Sequence, residues 1–235
     1  MKNKKEYLEI FIFFYNQIMN KIKSVVKKVL GRDKIKSIGK DYWEKAAHGS
    51  MKKTMNKICD GFDPQSFETK QESIIFFKEF QLTKDSVVLD LACGMGRTCR
   101  WIAPKIKEYV GVDFIPEMIE KAKKYNSEYL NTKFLINDGK TLNIFSDRTF
   151  DVVYCEIAFQ HMPRDVQKSY VNEVYRILKD NGMFFVQLPK IEYYNDSTFA
   201  FSKEDANLLL KDYKVKYLKT TPAYYFIQAI KSISN

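Results

Sequence analysis

The sequence contains no apolar run of eighteen residues, the length that a membrane-spanning helix needs, so no transmembrane segment is expected. Its four cysteines, Cys59, Cys93, Cys99 and Cys155, form no CxxC motif and no cluster with the two histidines. This pattern argues against a disulfide framework and against a zinc site, and we expect no metal. Unpaired cysteines of this kind are typical of a cytosolic protein, so a cytoplasmic location is expected.

Acidic residues are scarce only at the N-terminal end of the chain. Residues 1–36 contain ten Lys/Arg and three Asp/Glu, whereas the rest of the chain contains 29 and 26. The net charge of +10 therefore belongs mostly to this segment. It does not indicate nucleic-acid binding by the whole surface, and no nucleic-acid partner is expected. Glu6 and Glu9 interrupt the first apolar run and no small-residue cleavage site follows, which argues against a secretory leader.

Residues 1–36 are predicted to form a basic amphipathic helical extension. Apolar residues recur at alternating spacings of four and three, which is one stripe of a helix. The stripe consists of Phe11, Tyr15, Ile18, Ile22, Val25 and Val29. Three interpretations stay open for residues 7–30: packing on the chain's own domain, contact with a second subunit in a dimer, and binding to an anionic membrane. The third would place the protein at the inner face of the membrane.

The rest of the chain alternates predicted strands with predicted helices, which favours a doubly wound parallel α/β sheet. Gly39 is expected to break the pattern, with a helix resuming near Asp41, and residues 37–80 are interpreted as a helical cap. A further helix is predicted from Ser66 through Phe80. The segment "RDVQKSYVNEVYRILKD" is predicted to be a helix closed by Asn181-Gly182. The tail predicts a helix at Ser202 and then two antiparallel strands.

Acidic and polar residues follow four successive predicted strands, where an open parallel sheet binds its ligands. The first strand runs into "DLACGMG", whose glycines let the backbone approach a ligand. The next strands end at Asp113, at Asp138-Gly139 and at Glu156, followed by His161. Each residue also has a plainer interpretation. Asp113 could cap the helix at Pro116, Asp138 could stabilise a turn, and His161 could orient its loop.

The ordered motifs "VVLDLACGMG", "EYVGVDFIPEMIEKAK", "KFLINDGKTL", "FDVVYCEIAFQHMP" and "YRILKDNGMFFVQLP" resemble those of class I S-adenosylmethionine-dependent methyltransferases. The resemblance covers roughly residues 40–230. It implies a Rossmann-like seven-stranded sheet of order 3-2-1-4-5-7-6 with an antiparallel last strand, carried by residues 37–235. It also implies S-adenosylmethionine as cofactor and S-adenosylhomocysteine as product.

The resemblance also implies which residues bind the cofactor. The loop would surround the methionine end, Asp113 the ribose, Phe114 and Met118 the adenine ring, and Asp138 the adenine amino group. The full set is Trp43, Asp90, Ala92, Cys93, Gly94, Gly96, Asp113, Phe114, Met118, Asp138, Gly139, Glu156 and Ile157. Ala92 departs from the family pattern, because it replaces the first glycine of the usual GxGxG.

The expected reaction is methyl transfer to a hydroxyl or amine of a small molecule, with sugars of surface-polysaccharide pathways as one acceptor class. His161 is the first candidate base and Glu156 the second, and positioning without any base is an equal alternative. Tyr193, Tyr194 and Phe199 are candidate acceptor-binding residues. Three other interpretations stay open: an RNA methyltransferase that uses the basic helix, a quinone- or lipid-type methyltransferase at the membrane surface, and a non-catalytic adaptor.

Overall fold

The computed structural model of the chain describes residues 35–58, 77–191, 200–222 and 224–232, without the side chains of residues 35–40, 56–58, 77 and 160. The N-terminal stripe, Cys59, the part of the helix predicted from Ser66 that precedes residue 77, and Tyr193, Tyr194 and Phe199 lie outside the described residues. The chain divides into two compact units, Met1–Asp41 and Tyr42–Asn235. Among the helices that are described, none is long and apolar enough to cross a membrane.

Seven strands form one sheet: β1 Val87–Leu91, β2 Glu108–Asp113, β3 Thr132–Ile136, β4 Phe150–Cys155, β5 Leu178–Pro189, β6 Tyr213–Thr220 and β7 Tyr224–Lys231. The described α-helices are α1 Ile35–Ala47, α2 Met51–Ile58, α3 Cys99–Ile102, α4 Pro116–Tyr125, α5 Arg164–Ile177 and α6 Lys203–Leu209. Short 3-10 turns occupy Phe77–Glu79, Ala103–Lys105 and Phe159–His161.

The sheet order is β3-β2-β1-β4-β5-β7-β6, which confirms the predicted topology. Strands β1 to β5 pair in parallel, while β7 runs antiparallel to both β5 and β6. The carboxyl ends of the five parallel strands therefore meet at one edge, as the strand-end argument requires. Ser202 caps α6 as predicted, since its side chain accepts a hydrogen bond from the Asp205 amide.

The central strands are buried on both faces, which explains their continuous apolar sequences. One face carries the largest core cluster, in which residues of β1, β2, β4 and β5 pack against α5. The helix contributes Tyr170, Val171, Val174 and Ile177 to this cluster. The opposite face carries a polar group unusual for a core, in which Asp90 of β1 lies in register with Tyr154 of β4.

The helix predicted over residues 164–180 ends at Ile177, so its predicted closure by Asn181-Gly182 is wrong. Residues from Leu178 onward join β5, because Leu178 pairs with Phe150 and the Lys179 ammonium lies 2.8 Å from the Asp151 carboxylate. Gly182 is required for a different reason. A Cβ there would lie 2.8 Å from the Lys179 carbonyl oxygen, so the glycine permits close backbone packing at the start of the strand.

The predicted break at Gly39 is also wrong, because α1 continues through it. The chain instead turns at Gly49, whose φ of +105° suits only glycine. The Lys121 ammonium of α4 stabilises this turn by donating to the carbonyl oxygens of Ala47 and Gly49 and to the Thr54 hydroxyl. A cation at the end of α1 also interacts favourably with the helix dipole. These contacts hold the end of α1 against α4.

Candidate functional site

The loop between β1 and α3 adopts a left-handed backbone at alternate residues. Ala92, Gly94 and Gly96 have φ values of 62°, 55° and 68°. Residue type predicts this conformation only for the two glycines, yet Ala92 shares it. An alanine in the left-handed region costs roughly 1–2 kcal/mol, so the surrounding structure must hold Ala92 in place.

Two glycines allow this loop to pack closely on the sheet. A Cβ on Gly96 would lie 2.7 Å from both the Phe134 ring and the Asn126 side-chain nitrogen. A Cβ on Gly111, in the middle of β2, would lie 2.9 Å from the sulfur of Cys93. The Cys93 thiol therefore packs on β2, and burial raises its pKa well above the ordinary value. Sequence reasoning missed Gly111, although a glycine inside a strand signals such close approach.

Asp113 connects the end of β2 to the loop between β1 and α3, residues 91–97, which we call the glycine loop. Its Oδ2 accepts the Gly94 amide at 3.0 Å and its Oδ1 accepts the Ile115 amide at 3.0 Å. Desolvation raises the pKa of this carboxyl from 3.8 to about 6, although the backbone donors oppose the shift. The plainer interpretation, in which Asp113 caps the helix at Pro116, is therefore partly met, because Asp113 accepts the amide of Ile115 at the start of α4. Each carboxylate oxygen has a second lone pair, so both can still accept a ribose hydroxyl.

The end of β3 packs against Phe114. Gly139 has a φ of +77°, and a Cβ there would lie 3.3 Å from the Phe114 side chain. Asp138, its neighbour, accepts hydrogen bonds from the amides of Lys140 and Thr141 and from the Thr141 hydroxyl. These donors lower the pKa of Asp138 below 3.8, so the exposed carboxylate is ionised. Its turn-stabilising role is observed, and adenine recognition by it stays a prediction.

Trp43 of α1 lies beside this region and also touches the fourth strand end. Trp43 and Phe114 both pack against a small apolar cluster that includes Ile115 and Met118. On its other side, the Trp43 indole makes an edge contact with the His161 imidazole, with ring centroids 5.2 Å apart. Trp43 therefore joins the predicted adenine side of the site to the loop after β4.

His161 is solvent-exposed but surrounded by protein atoms, and desolvation lowers its pKa from 6.5 to about 4. The exposure of the ring limits this lowering of the pKa, because a fully hydrated imidazole keeps its ordinary pKa. The ring is predominantly neutral at neutral pH at either value. A pKa this far below 7 would make His161 a weak proton acceptor.

Glu156 does not stand alone at the end of β4. Its Oε2 lies 3.3 Å from Nη2 of Arg97, and only 11% of the arginine and 4% of the glutamate side chain are exposed. This buried ion pair joins the glycine loop to the loop after β4. Sequence reasoning missed Arg97, because its partner lies far along the chain. A carboxylate held this way is poorly placed to remove a proton from an acceptor.

Ile157, the next residue, is held in an unusual conformation at the mouth of the site. It has a φ of 57°, which is strained for a β-branched residue, and 37% of it is exposed. Its amide donates to Oε1 of Gln187, a buried side chain of β5, at 3.1 Å. Strain at a strand end is characteristic of functional sites.

Asp90, in contrast, has a carboxylate directed into a buried group of hydroxyls. Its Oδ2 accepts hydrogen bonds from Tyr109 at 2.5 Å and from Thr98 at 2.9 Å. The Thr98 and Tyr154 hydroxyls lie 2.7 Å apart. Oδ2 is therefore committed to protein hydroxyls, and a direct contact between Asp90 and a cofactor stays a prediction. Buried tyrosines on parallel strands were the available sequence signal, since a buried phenol needs a polar partner.

The residues present fit S-adenosylmethionine, the cofactor that the resemblance implies. The Asp113 carboxylate accepts the Gly94 amide of the loop and retains acceptor capacity, and Gly96 lets the same loop pack on Phe134 and Asn126. Phe114, which is partly exposed next to Gly139, offers apolar surface for a ring, whereas Met118 is buried in the cluster against which Phe114 packs. The loop after β4 completes a continuous set of contacts through His161, Trp43 and the Glu156–Arg97 pair.

Comparison with known proteins agrees with this fit. Residues 88–182 match the methyltransferase domain family. An uncharacterized methyltransferase, YcgJ from Bacillus subtilis, is 32% identical over 126 residues, which is 53% of this chain and 49% of that protein. The chain spans about half the length or less of the first curated relatives it matches.

Two solved structures share the fold. A SAM-dependent methyltransferase from Aquifex aeolicus has a TM-score of 0.59 at 19% identity, covering 75% of this chain and 97% of that one. Phosphoethanolamine N-methyltransferase 1 from Haemonchus contortus, solved with phosphoethanolamine and S-adenosylhomocysteine, has a TM-score of 0.62 at 14% identity. It covers 87% of this chain and 50% of that one. Together with the domain match, these findings support S-adenosylmethionine as the cofactor.

Proposed function

We propose that this chain, which belongs to the class I S-adenosylmethionine-dependent methyltransferases, transfers a methyl group to a small-molecule acceptor at the carboxyl edge of its sheet. The observation that carries the proposal is the hydrogen bond from the Gly94 amide to Asp113. It joins the loop predicted to surround the methionine end to the acid predicted to hold the ribose. One bound molecule can therefore contact both.

The chemistry asked of the chain is mainly alignment. When bound, S-adenosylmethionine supplies a methyl group that is already electrophilic, so an acceptor nucleophile must be held in line with it. Orientation of this kind can supply about 7–11 kcal/mol of barrier reduction. Ile157 and His161 follow the carboxyl end of β4 and Trp43 contacts His161, so we assign acceptor positioning to these three residues.

Within this proposal we favour an amine over a hydroxyl as the acceptor group. Glu156 is paired with Arg97, and desolvation lowers the pKa of the His161 imidazole, although the exposure of the ring limits that shift, so neither is well suited to deprotonating a hydroxyl at neutral pH. An alkylamine is mostly protonated at neutral pH, so its unprotonated fraction attacks through the nitrogen lone pair, and the alkylammonium product releases its proton to solvent. The likeness to a phosphoethanolamine N-methyltransferase is consistent with this acceptor class, although it is a distant one.

Labelled S-adenosylmethionine tests the proposal directly. Incubation with separate pools of small amines, sugars, lipids and RNA is expected to label the amine pool, and calorimetric titration is expected to show binding of S-adenosylhomocysteine. Label in RNA, with a steep dependence on salt, would support the RNA alternative instead. Absence of any cofactor binding by the folded chain would reject methyl transfer altogether.

His161→Gln separates positioning from base catalysis. We expect methyl transfer to fall less than tenfold, because loss of a general base commonly costs about 10²–10⁴-fold. His48→Gln is the matched control, since His48 is the other histidine of the chain and the Nδ1 atom of its exposed ring lies 3.5 Å from the Glu117 carboxylate. Initial rates with saturating cofactor give the comparison. A loss of a hundredfold or more in His161→Gln alone would restore the base assignment.

A further inference from the structure

The glycine loop is closed at its base by a single carboxylate. Asp90 precedes the loop and Thr98 follows it, and the Thr98 hydroxyl donates to Asp90 Oδ2 at 2.9 Å. This bond joins the two ends of the segment 91–97. Thr98 occupies the N-cap position of α3, yet its side chain makes no capping hydrogen bond. Its hydroxyl is committed to Asp90 instead.

Two tyrosines fix this closure to the neighbouring strands. Tyr109 of β2 donates to the same Asp90 oxygen at 2.5 Å, and the Tyr154 hydroxyl of β4 lies 2.7 Å from that of Thr98. Thr98, Tyr109 and Tyr154 are all buried. Strands β2 and β4 flank β1 on either side. The base of the loop is thus tied to the three strands at the centre of the sheet.

We propose that Asp90, Thr98, Tyr109 and Tyr154 form a positioning network that holds the loop of residues 91–97 in its cofactor-binding conformation. The proposal rests on the proposed function, because it takes this loop to be the cofactor site. It also assigns Asp90 an indirect role, since the Asp90 carboxylate acts through the loop and makes no contact with the cofactor.

The backbone of the loop explains why such a network is needed. Three alternate residues, Ala92, Gly94 and Gly96, are left-handed, and Ala92 has no intrinsic preference for that conformation. Costly backbone conformations persist only where the surrounding structure determines them. If the loop relaxes out of this conformation, it must be reordered when the cofactor binds. The apparent affinity then falls in proportion to the fraction of molecules that remain in the binding conformation.

The test measures S-adenosylhomocysteine affinity by calorimetry and the free energy of unfolding in urea, on the full chain. Thr98→Val removes the hydroxyl at nearly constant volume, and Thr98→Ser retains it. Tyr109→Phe and Tyr154→Phe remove the other two hydroxyls. Tyr213→Phe is the matched control, because its buried hydroxyl donates to the Val171 carbonyl at 2.9 Å in the core cluster on the α5 face.

We expect Thr98→Val to weaken S-adenosylhomocysteine binding about tenfold, the equivalent of one lost hydrogen bond. Thr98→Ser should bind within about threefold of wild type, and each tyrosine variant should bind more weakly than Tyr213→Phe at comparable stability. Adding Ala92→Gly should reduce the loss caused by Thr98→Val, because glycine adopts the left-handed backbone freely.

A purely structural network would give a different result: Tyr109→Phe and Tyr213→Phe would lose similar stability, and affinity would stay at the wild-type value. That outcome overturns the proposal, as does an equal loss in Thr98→Ser and Thr98→Val. If the folded wild type binds no S-adenosylhomocysteine or S-adenosylmethionine, the proposed function and this inference fail together. Wild-type binding with unaffected variants rejects the network alone.

Discussion

Gly96→Ala is expected to lower the free energy of unfolding by about 2–4 kcal/mol and to weaken S-adenosylhomocysteine binding at least tenfold. Two costs add. The φ of +68° places any L-residue in the left-handed region, at roughly 1–2 kcal/mol. The new methyl group would also lie 2.7 Å from the Phe134 ring and the Asn126 side chain, both of which are buried. Because neither neighbour can swing into solvent, the loop itself must move.

Gly49→Ala provides a control matched for backbone strain. Gly49 has a φ of +105°, but it is exposed, and its new methyl would meet only the flexible end of Lys53 at 3.0 Å. This variant should lose stability and keep its affinity for S-adenosylhomocysteine. Urea unfolding and calorimetric titration of both variants provide the comparison. Wild-type affinity in a folded Gly96→Ala protein would contradict the placement of the loop against the cofactor.

The strands of the sheet could be predicted from the sequence because each has a local pattern of apolar residues that does not depend on distant contacts. Continuous apolar segments such as Val87–Leu91 indicate burial on both faces, and the short tail connection allows only antiparallel pairing. The strand order came from the family resemblance. The end of α5 could not be predicted, because it depends on the contact between Lys179 and Asp151 across two strands.

The candidate site shows the same division. Asp113 and Gly96 could be placed from the sequence because parallel strands bring their carboxyl ends to one edge. The partners of other predicted site residues could not be placed in this way. The contact between Asp90 and Tyr109 depends on strand register, and the ion pair between Glu156 and Arg97 joins two separate loops. Sequence position alone therefore predicts direct roles for Asp90 and Glu156 and does not reveal the partners that their carboxylates have in the structure.

Asp113 is expected to make cofactor affinity depend on pH. Its pKa of about 6 means that the carboxyl becomes protonated as the pH falls through 6. Ribose hydroxyls donate hydrogen bonds, so they bind the ionised form better, and binding should release a proton. Affinity should be constant above this pKa and should fall by up to tenfold per pH unit below it. Calorimetric titration of S-adenosylhomocysteine from about pH 5 to about pH 8, roughly one unit below the pKa to two units above it, measures the profile.

The contribution of Asp113 to the free energy of unfolding changes with pH in the opposite direction to its contribution to cofactor affinity. A folded pKa of about 6 lies above the ordinary 3.8, so the contribution of Asp113 to stability is complete below 3.8 and is lost as the pH rises through 6. The shift of about two units corresponds to roughly 3 kcal/mol. At neutral pH the free protein thus carries an ionised buried carboxylate at a cost, as is expected of a group that is kept for binding.

Asp113→Asn should weaken S-adenosylhomocysteine binding about 100-fold and flatten the pH profile. The amide has one acceptor oxygen in place of two, so it cannot accept the amides of Gly94 and Ile115 on separate oxygens as the carboxylate does. Loss of hydrogen bonds to a charged group costs about 1.5–3 kcal/mol. Asp138→Asn is the matched control, because that exposed carboxylate already has a lowered pKa and should leave the profile unchanged. Ionisation of the ligand itself affects every variant equally. A wild-type profile that is flat across this range, or undiminished affinity in folded Asp113→Asn, would show that Asp113 does not hold the ribose.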